Sequence, residues 1–235
     1  MIESAEAADA SCRLIKGFAT SSEIGALTRL IESHSSLFRE TSGKARLGPR
    51  YRIIQGEQIR TGLPDILDFG ARRVRPAVEQ LAGHELVESG LLGATRVQAF
   101  DHPDHDFRWH FDTHPYTGLL TLWNHNSSET HVISPGLSRA LRFALYPLYP
   151  FPGIFDVLPY RRYTMAAGDL LVMRGSQVLH RGVALANTGG RVIVVYSFIT
   201  PGQKLNPLRL LIAGLLNYSK RRADNARDDA TRFTR

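Results

Sequence analysis

Near Gly93 the spacing of apolar residues changes from a helical repeat toward a period of two, and this change constrains the chain more than any other feature. Five segments beyond it are strand-length, rich in branched and aromatic residues, and separated by turn formers: ATRVQAF (94–100), TGLLTLWN (117–124), GDLLVM (168–173), QVLHRGVAL (177–185) and RVIVVYSF (191–198). A chain with this pattern is expected to be mainly β in its second half. Asn187-Thr188-Gly189-Gly190 separates the last two segments and tolerates the positive φ angles of a tight connection, which predicts a hairpin there.

Ahead of Gly93 the pattern is helical. Thr20-Ser21-Ser22-Glu23 is a capping box, followed by Ile24, Leu27, Leu30 and Ile31 at helical spacing. A polar loop over 41–50 precedes a second helical region from about Asp65, with Val74, Val78 and Leu81 on one face. Pro76 either kinks that helix or starts a new one, and Gly83 is its expected stop. Between residues 125 and 163 there are five prolines and two Tyr-Pro pairs, which predicts a long excursion over the sheet. Leu208 to Leu216 is apolar except for Arg209 and Gly214, a helix expected to pack on the core or on a partner subunit, with homodimerisation through it as the second option.

At 235 residues the chain is expected to form a single domain able to bury its own core: a mostly helical part over 1–92, a β core over 93–200, and a helix with a basic tail over 205–235. No apolar run is long enough to cross a bilayer, and MIESAEAADAS lacks the basic-then-apolar order of a secretory leader, so a soluble cytoplasmic protein is expected. Cys12 is the single cysteine, so any metal must be held by histidine and carboxylate. The net charge of +7 points to anionic partners. Much of it lies in the last sixteen residues without interleaved aromatics, so a solvated tail is favoured over a nucleic-acid surface.

Two His-x-Asp patterns occur where chance gives about 0.5 in a chain of this composition. His102-Pro103-Asp104 sits in a turn-like DHPDHD string, whereas His110-Phe111-Asp112 reads as the end of a strand. On a strand, residues two apart share a face, so His110 and Asp112 can reach one ion while Phe111 packs on the other side. His180 is the natural third ligand, with small Gly182 and Ala184 next on its face. Two imidazoles and one carboxylate on one face of an octahedral ion leave three positions open, the arrangement suited to Fe(II) and oxygen. Arg191 heads the apolar strand that follows. Buried, it needs an anion; otherwise it is an ordinary ion pair or a surface arginine.

The ordered set of HFD at 110–112, GD at 168–169, His180 and Arg191, behind a helical segment, resembles the Fe(II)/2-oxoglutarate-dependent oxygenases over roughly residues 94–200. The resemblance implies a double-stranded β-helix, or cupin-like jelly roll, with flanking helices. It makes His110, Asp112 and His180 the iron ligands and catalytic centre, with Arg191 holding the distal carboxylate of 2-oxoglutarate and O2 as co-substrate. Many members add a tyrosine on a neighbouring strand; here Gln98 and Asn124 are the candidates in its place. Arg96 is a candidate for a substrate carboxylate and equally for a surface salt bridge. Trp109, Trp123 and Tyr116 read as core aromatics, and His114, His125 and His131 as loop residues. The implied activity is hydroxylation of a small molecule, an amino acid or natural-product intermediate, with release of succinate and CO2. The alternatives are an oxygenase acting on nucleic acid or protein, and a non-catalytic metal-binding or sensor jelly roll.

Overall fold

The structure of the protein is a computed structural model. It describes residues 11–41, 51–89, 94–102, 105–125, 128–133, 141, 144–145, 152–183 and 190–205. The segment Leu208 to Leu216, the basic tail, most of the 41–50 loop, Ala184 and residues 187–189 lie outside the described residues.

Twelve strands among the described residues form two antiparallel sheets packed face to face. The larger is ordered β1 (Cys12–Ile15), β10 (Leu170–Met173), β7 (Tyr116–Asn124), β12 (Arg191–Ile199), β5 (Thr95–Phe100), β3 (Arg52–Gln55) and β2 (Arg39–Glu40). The short β4 (Val87–Glu88) also pairs with β12. The smaller is ordered β6 (Asp106–His110), β11 (Leu179–Val183), β8 (Glu129–Ile133) and β9 (Arg161–Thr164). All five segments expected to be strands are strands. The larger sheet also recruits β1 to β4 from before residue 93, short pieces that carry too few alternations to stand out in the sequence.

The expected hairpin between the last two segments does not form. β11 pairs with β6 and β8, whereas β12 pairs with β4, β5 and β7, so the intervening chain crosses from one sheet to the other. Turn chemistry permits a tight connection but says nothing about which ladder the next strand joins.

Alternation along the larger sheet sorts its side chains into two layers. Val97, Ala99, Leu120, Leu122, Leu170, Val172, Val192, Val194 and Tyr196 face the helices. Phe100, Leu119, Leu171, Met173, Ile193 and Val195 face the smaller sheet and close the space between the sheets with Val132 and Val178. Among the described residues, the α-helices cover the outer side of the larger sheet. Helix α1 (Ser21–Ser33) starts at the capping box: Thr20 Oγ1 accepts from the Glu23 N–H at 3.2 Å and the Glu23 carboxylate accepts from the Thr20 N–H at 2.8 Å. It buries Ile24, Leu27 and Ile31.

Helix α2 (Glu57–Gly62) leads into the second helical region, where the chain takes both courses open at Pro76. Helix α3 (Pro64–Phe69) passes into a π-helical turn over Gly70–Val74, and α4 (Arg75–Ala82) begins with Pro76 in its first turn, where a missing N–H costs nothing. Gly83, at φ 78°, ends α4 in the left-handed conformation expected of it. Of the 125–163 excursion, residues 129–133 and 161–163 are strand, and Phe155, Leu158 and Tyr160 pack with Trp109, Phe111, Ile133 and Leu179 on the outer side of the smaller sheet. The excursion therefore supplies two of that sheet's four strands, and Phe155, Leu158 and Tyr160 cover its outer side. No helix among the described residues is long and apolar enough to cross a membrane.

Candidate metal centre

His110 ends β6, and β11 sets His180 directly opposite it in the antiparallel ladder, with the two ring centroids 4.2 Å apart. Asp112 lies just past the strand, where its N–H donates to the Gly175 carbonyl at 2.9 Å. Asp112 thus returns to the side that His110 faces, as their two-residue spacing predicts. Phe111 packs the other way, against Trp109 and Leu179.

The ring orientations are set by the backbone. His110 Nδ1–H donates to the Arg108 carbonyl at 2.7 Å, and His180 Nδ1–H to the Val178 carbonyl at 3.0 Å. A carbonyl only accepts, so in the neutral ring the proton sits on Nδ1 and Nε2 carries the lone pair. Those Nε2 atoms lie 3.6 Å from Asp112 Oδ1 (His110) and 3.8 Å from Asp112 Oδ2 (His180). Two donors that are each about 2.1 Å from one ion stand no more than about 4.2 Å apart, so both imidazoles lie at the distance from the carboxylate group that a shared ion needs. Among the described residues, these three form the one group of His, Cys, Asp or Glu donors all within 4.8 Å of one another. Of the rival His102-Pro103-Asp104, the last two residues lie outside the described residues.

Electrostatics put Asp112 and His180 in the forms a cation needs. Burial pushes the Asp112 carboxyl up, but the neighbouring His180 and His110 imidazoles and the Arg96 guanidinium outweigh it. The carboxyl is held ionised, well below the usual carboxylate range. Burial, with the neighbouring His110, brings His180 down to about 4, and burial does the same to His114. Both are thus neutral when folded and protonated below about pH 6.5 when unfolded. Between those values the unfolded chain binds more protons, so stability falls as pH is lowered. The metal-free protein is expected to lose stability from about pH 6.5 down to 4, on the order of 3 kcal/mol for each histidine. Thermal unfolding across that range checks it; a flat profile would place both imidazoles in water.

The triad lies at one side of a pocket of about 360 Å³, mouth included, between the two sheets. Its wall from the larger sheet steps through three rungs: Arg191 opposite Phe100, Ile193 opposite Gln98, and Val195 opposite Arg96. Arg191 is 1% exposed. Its Nη1 donates to the Glu129 carbonyl at 3.2 Å and its Nη2 to Thr130 Oγ1 at 2.9 Å, while Nε is buried without a partner. Burial lowers its pKa to about 10, so it remains a cation at neutral pH. It makes no ion pair with a described carboxylate. Thr130 pairs with Gly182 and Val132 with His180, so the hydroxyl that anchors Arg191 stands two strand positions, roughly 7 Å, from His180 along the smaller sheet.

Gln98 is 3% exposed, lines the same pocket, and has an unpartnered Nε2. Arg96 Nη2 lies 3.7 Å from Asp112 Oδ1 and its Nη1 donates to Ser197 Oγ at 3.5 Å, so it stands beside the triad rather than on the surface. Asn124 does not reach the pocket. Its amide donates to the Ser128 and Met165 carbonyls at 2.8 and 3.0 Å and accepts from the Ser128 N–H at 2.9 Å, which uses it to close the β7–β8 turn. A polar residue at a strand end can serve a turn as readily as a site, and sequence does not separate the two.

Trp109 and Tyr116 are core residues, and Trp123 packs against the core. His131 is no loop residue: it lies on β8, facing away from the pocket, stacked on Tyr160 at 4.6 Å. Sequence reasoning passed over Thr130 and also Thr117 and Gly175, which both contact Asp112. Only the small-residue pattern of Arg174-Gly175-Ser176 hinted at a close approach there.

No family model and no curated relative matches the sequence. Solved structures do. The non-heme α-ketoglutarate-dependent carbocyclase SnoK from nogalamycin biosynthesis superposes with a TM-score of 0.65 at 13% identity, over 85% of this chain and 83% of that one. HygX from Streptomyces hygroscopicus, solved with nickel and 2-oxoglutarate bound, gives 0.61 at 13% identity over 83% and 85%. A Pseudomonas putida prolyl-4-hydroxylase gives 0.54 at 14% identity over 82% and 94%. At these identities the likeness is one of fold. The chain has the double-stranded β-helix fold of these structures.

Proposed function

We propose that the chain is an Fe(II)- and 2-oxoglutarate-dependent oxygenase that hydroxylates a small molecule, an amino acid or natural-product intermediate, with release of succinate and CO2. The observation that carries this reading is the pairing, in one pocket, of a three-donor cluster with a buried arginine that has no carboxylate partner among the described residues. Desolvating a guanidinium without an anion is costly, and a dicarboxylic cosubstrate supplies the missing charge. The donor set fits as well, since two imidazoles and a carboxylate suit a ferrous ion and leave positions open. The solved structures of similar fold add weight, because HygX holds 2-oxoglutarate and SnoK is described as α-ketoglutarate-dependent.

In this reading His110, Asp112 and His180 hold the iron, and Arg191 takes the far carboxylate of 2-oxoglutarate with Thr130 steadying the guanidinium. Gln98, between them on the wall, directs its free N–H2 at the bound diacid. Arg96, beside the triad, meets an anionic group of the substrate. Phe100, Leu119, Ile193 and Val195 keep the floor of the pocket apolar and limit water. Bound iron would supply oxygen activation coupled to oxidative decarboxylation of 2-oxoglutarate, with insertion of one oxygen atom into a C–H bond of the substrate.

A screen of amino acids and small carboxylates for succinate release tests the proposal. The expected result is release that requires both Fe(II) and 2-oxoglutarate and rises with one class of substrate. A chain that binds metal tightly yet forms no succinate under any of these conditions is a sensor or metal-binding jelly roll instead.

A further inference from the structure

We infer that Thr117 and Gly175 decide how Asp112 meets a metal: they occupy its Oδ2 side, so that the carboxylate binds through Oδ1 alone. This rests on the proposed metal centre and goes beyond it, because the distances within the triad do not choose between the two oxygens. His110 faces Oδ1 at 3.6 Å and His180 faces Oδ2 at 3.8 Å.

The choice comes from behind the carboxylate. Thr117, fully buried on β7, donates from Oγ1 to Asp112 Oδ2 at 2.5 Å. A short hydrogen bond to an ionised oxygen is strong, and it ties up electron density that a metal would otherwise share. Gly175 closes the same side. A Cβ there would lie 2.4 Å from Asp112 Oδ2, 2.6 Å from Thr117 Oγ1 and 2.8 Å from Asp112 Cβ, all nearer than real Cβ atoms come. Its carbonyl meanwhile accepts the Asp112 N–H at 2.9 Å. The turn after β10 can therefore press against the ligand only because residue 175 has no side chain.

The consequence concerns coordination number. One carboxylate oxygen and two imidazoles fill three positions of an octahedral ion, leaving three; a carboxylate binding through both oxygens would leave two. Three are needed to accept a bidentate keto acid and still admit one further ligand. Thr117 and Gly175 are thus positioning residues, acting through Asp112.

The test uses the full chain and Mn(II) alone, titrated by electron paramagnetic resonance, with circular dichroism and thermal unfolding alongside. Thr117→Val removes the hydroxyl at nearly constant shape and is expected to weaken Mn(II) binding about 10- to 100-fold, the usual effect of losing a group that orients a ligand. Thr117→Ser restores the donor and should bind within about threefold of the unmodified chain. Gly175→Ala should lose at least as much as Thr117→Val. Binding by folded Thr117→Val within about threefold of the unmodified chain overturns the inference, as does a Thr117→Ser as weak as the valine variant. If Thr117→Val does not fold, unchanged affinity in Gly175→Ala overturns it. Failure of the unmodified chain itself to bind Mn(II) removes the metal centre as well, which keeps the two failures apart.

Discussion

His180→Ala is expected to bind Fe(II) more than about 100-fold more weakly than the unmodified chain and to release no succinate, since losing a ligand outright exceeds the 10- to 100-fold cost of losing a group that merely orients one. The physical reason lies in how the three donors are held. His180 is 4% exposed, and its ring is fixed by the Val178 carbonyl on one side and by the ladder to His110 on the other. No other described histidine or carboxylate joins the cluster within 4.8 Å, so nothing nearby takes its place. The truncation also leaves a cavity and an unpaired carbonyl in the smaller sheet, costing about 1–3 kcal/mol of stability. Fe(II) titration under anaerobic conditions, read beside thermal unfolding, separates these effects. Full turnover by this variant would mean that His180 is not a ligand.

Arg191→Ala is expected to weaken 2-oxoglutarate binding by about 2–5 kcal/mol, roughly 30-fold to several thousand-fold, with metal affinity in the absence of cosubstrate unchanged. The guanidinium donates to one carbonyl and one hydroxyl and leaves Nε bare. An ionised group in that state is poorly compensated in the empty protein and well compensated once a carboxylate arrives. That asymmetry favours ligand binding over fold stability. Arg191→Met, which keeps the volume and removes the charge, should therefore leave thermal stability unchanged or slightly raised while losing the cosubstrate. A large loss of stability together with normal 2-oxoglutarate dependence would make Arg191 a structural residue.

The cluster of His110, Asp112 and His180 was legible early because its parts carry strong local signals. His110 and Asp112 are close in sequence, His180 lies in a segment whose alternation marks a strand, and Arg191 heads an otherwise apolar one. The capping box at Thr20 and the stop at Gly83 were legible for the same reason, since caps depend on side chains within a few residues. The short strands Arg52–Gln55 and Glu129–Ile133 were not, because four or five residues carry too little periodicity when loops flank them. Asn124 and Gln98 looked alike as polar residues on strands. Only the fold separates them, placing one in a turn and the other against the pocket.

Local physics thus settled from sequence alone where the five longest-patterned strands lie, where helix α1 starts and α4 stops, which side chains can share a face, and that any metal here must be met by histidine and carboxylate. The tertiary structure alone decided that β11 and β12 part into opposite sheets, that the excursion backs the smaller sheet, and that Thr117 and Gly175 stand behind Asp112. Those outcomes depend on contacts between residues far apart in the chain, such as Asp112 with Gly175 and Arg191 with Thr130, and no periodicity or turn preference encodes which distant surfaces will meet.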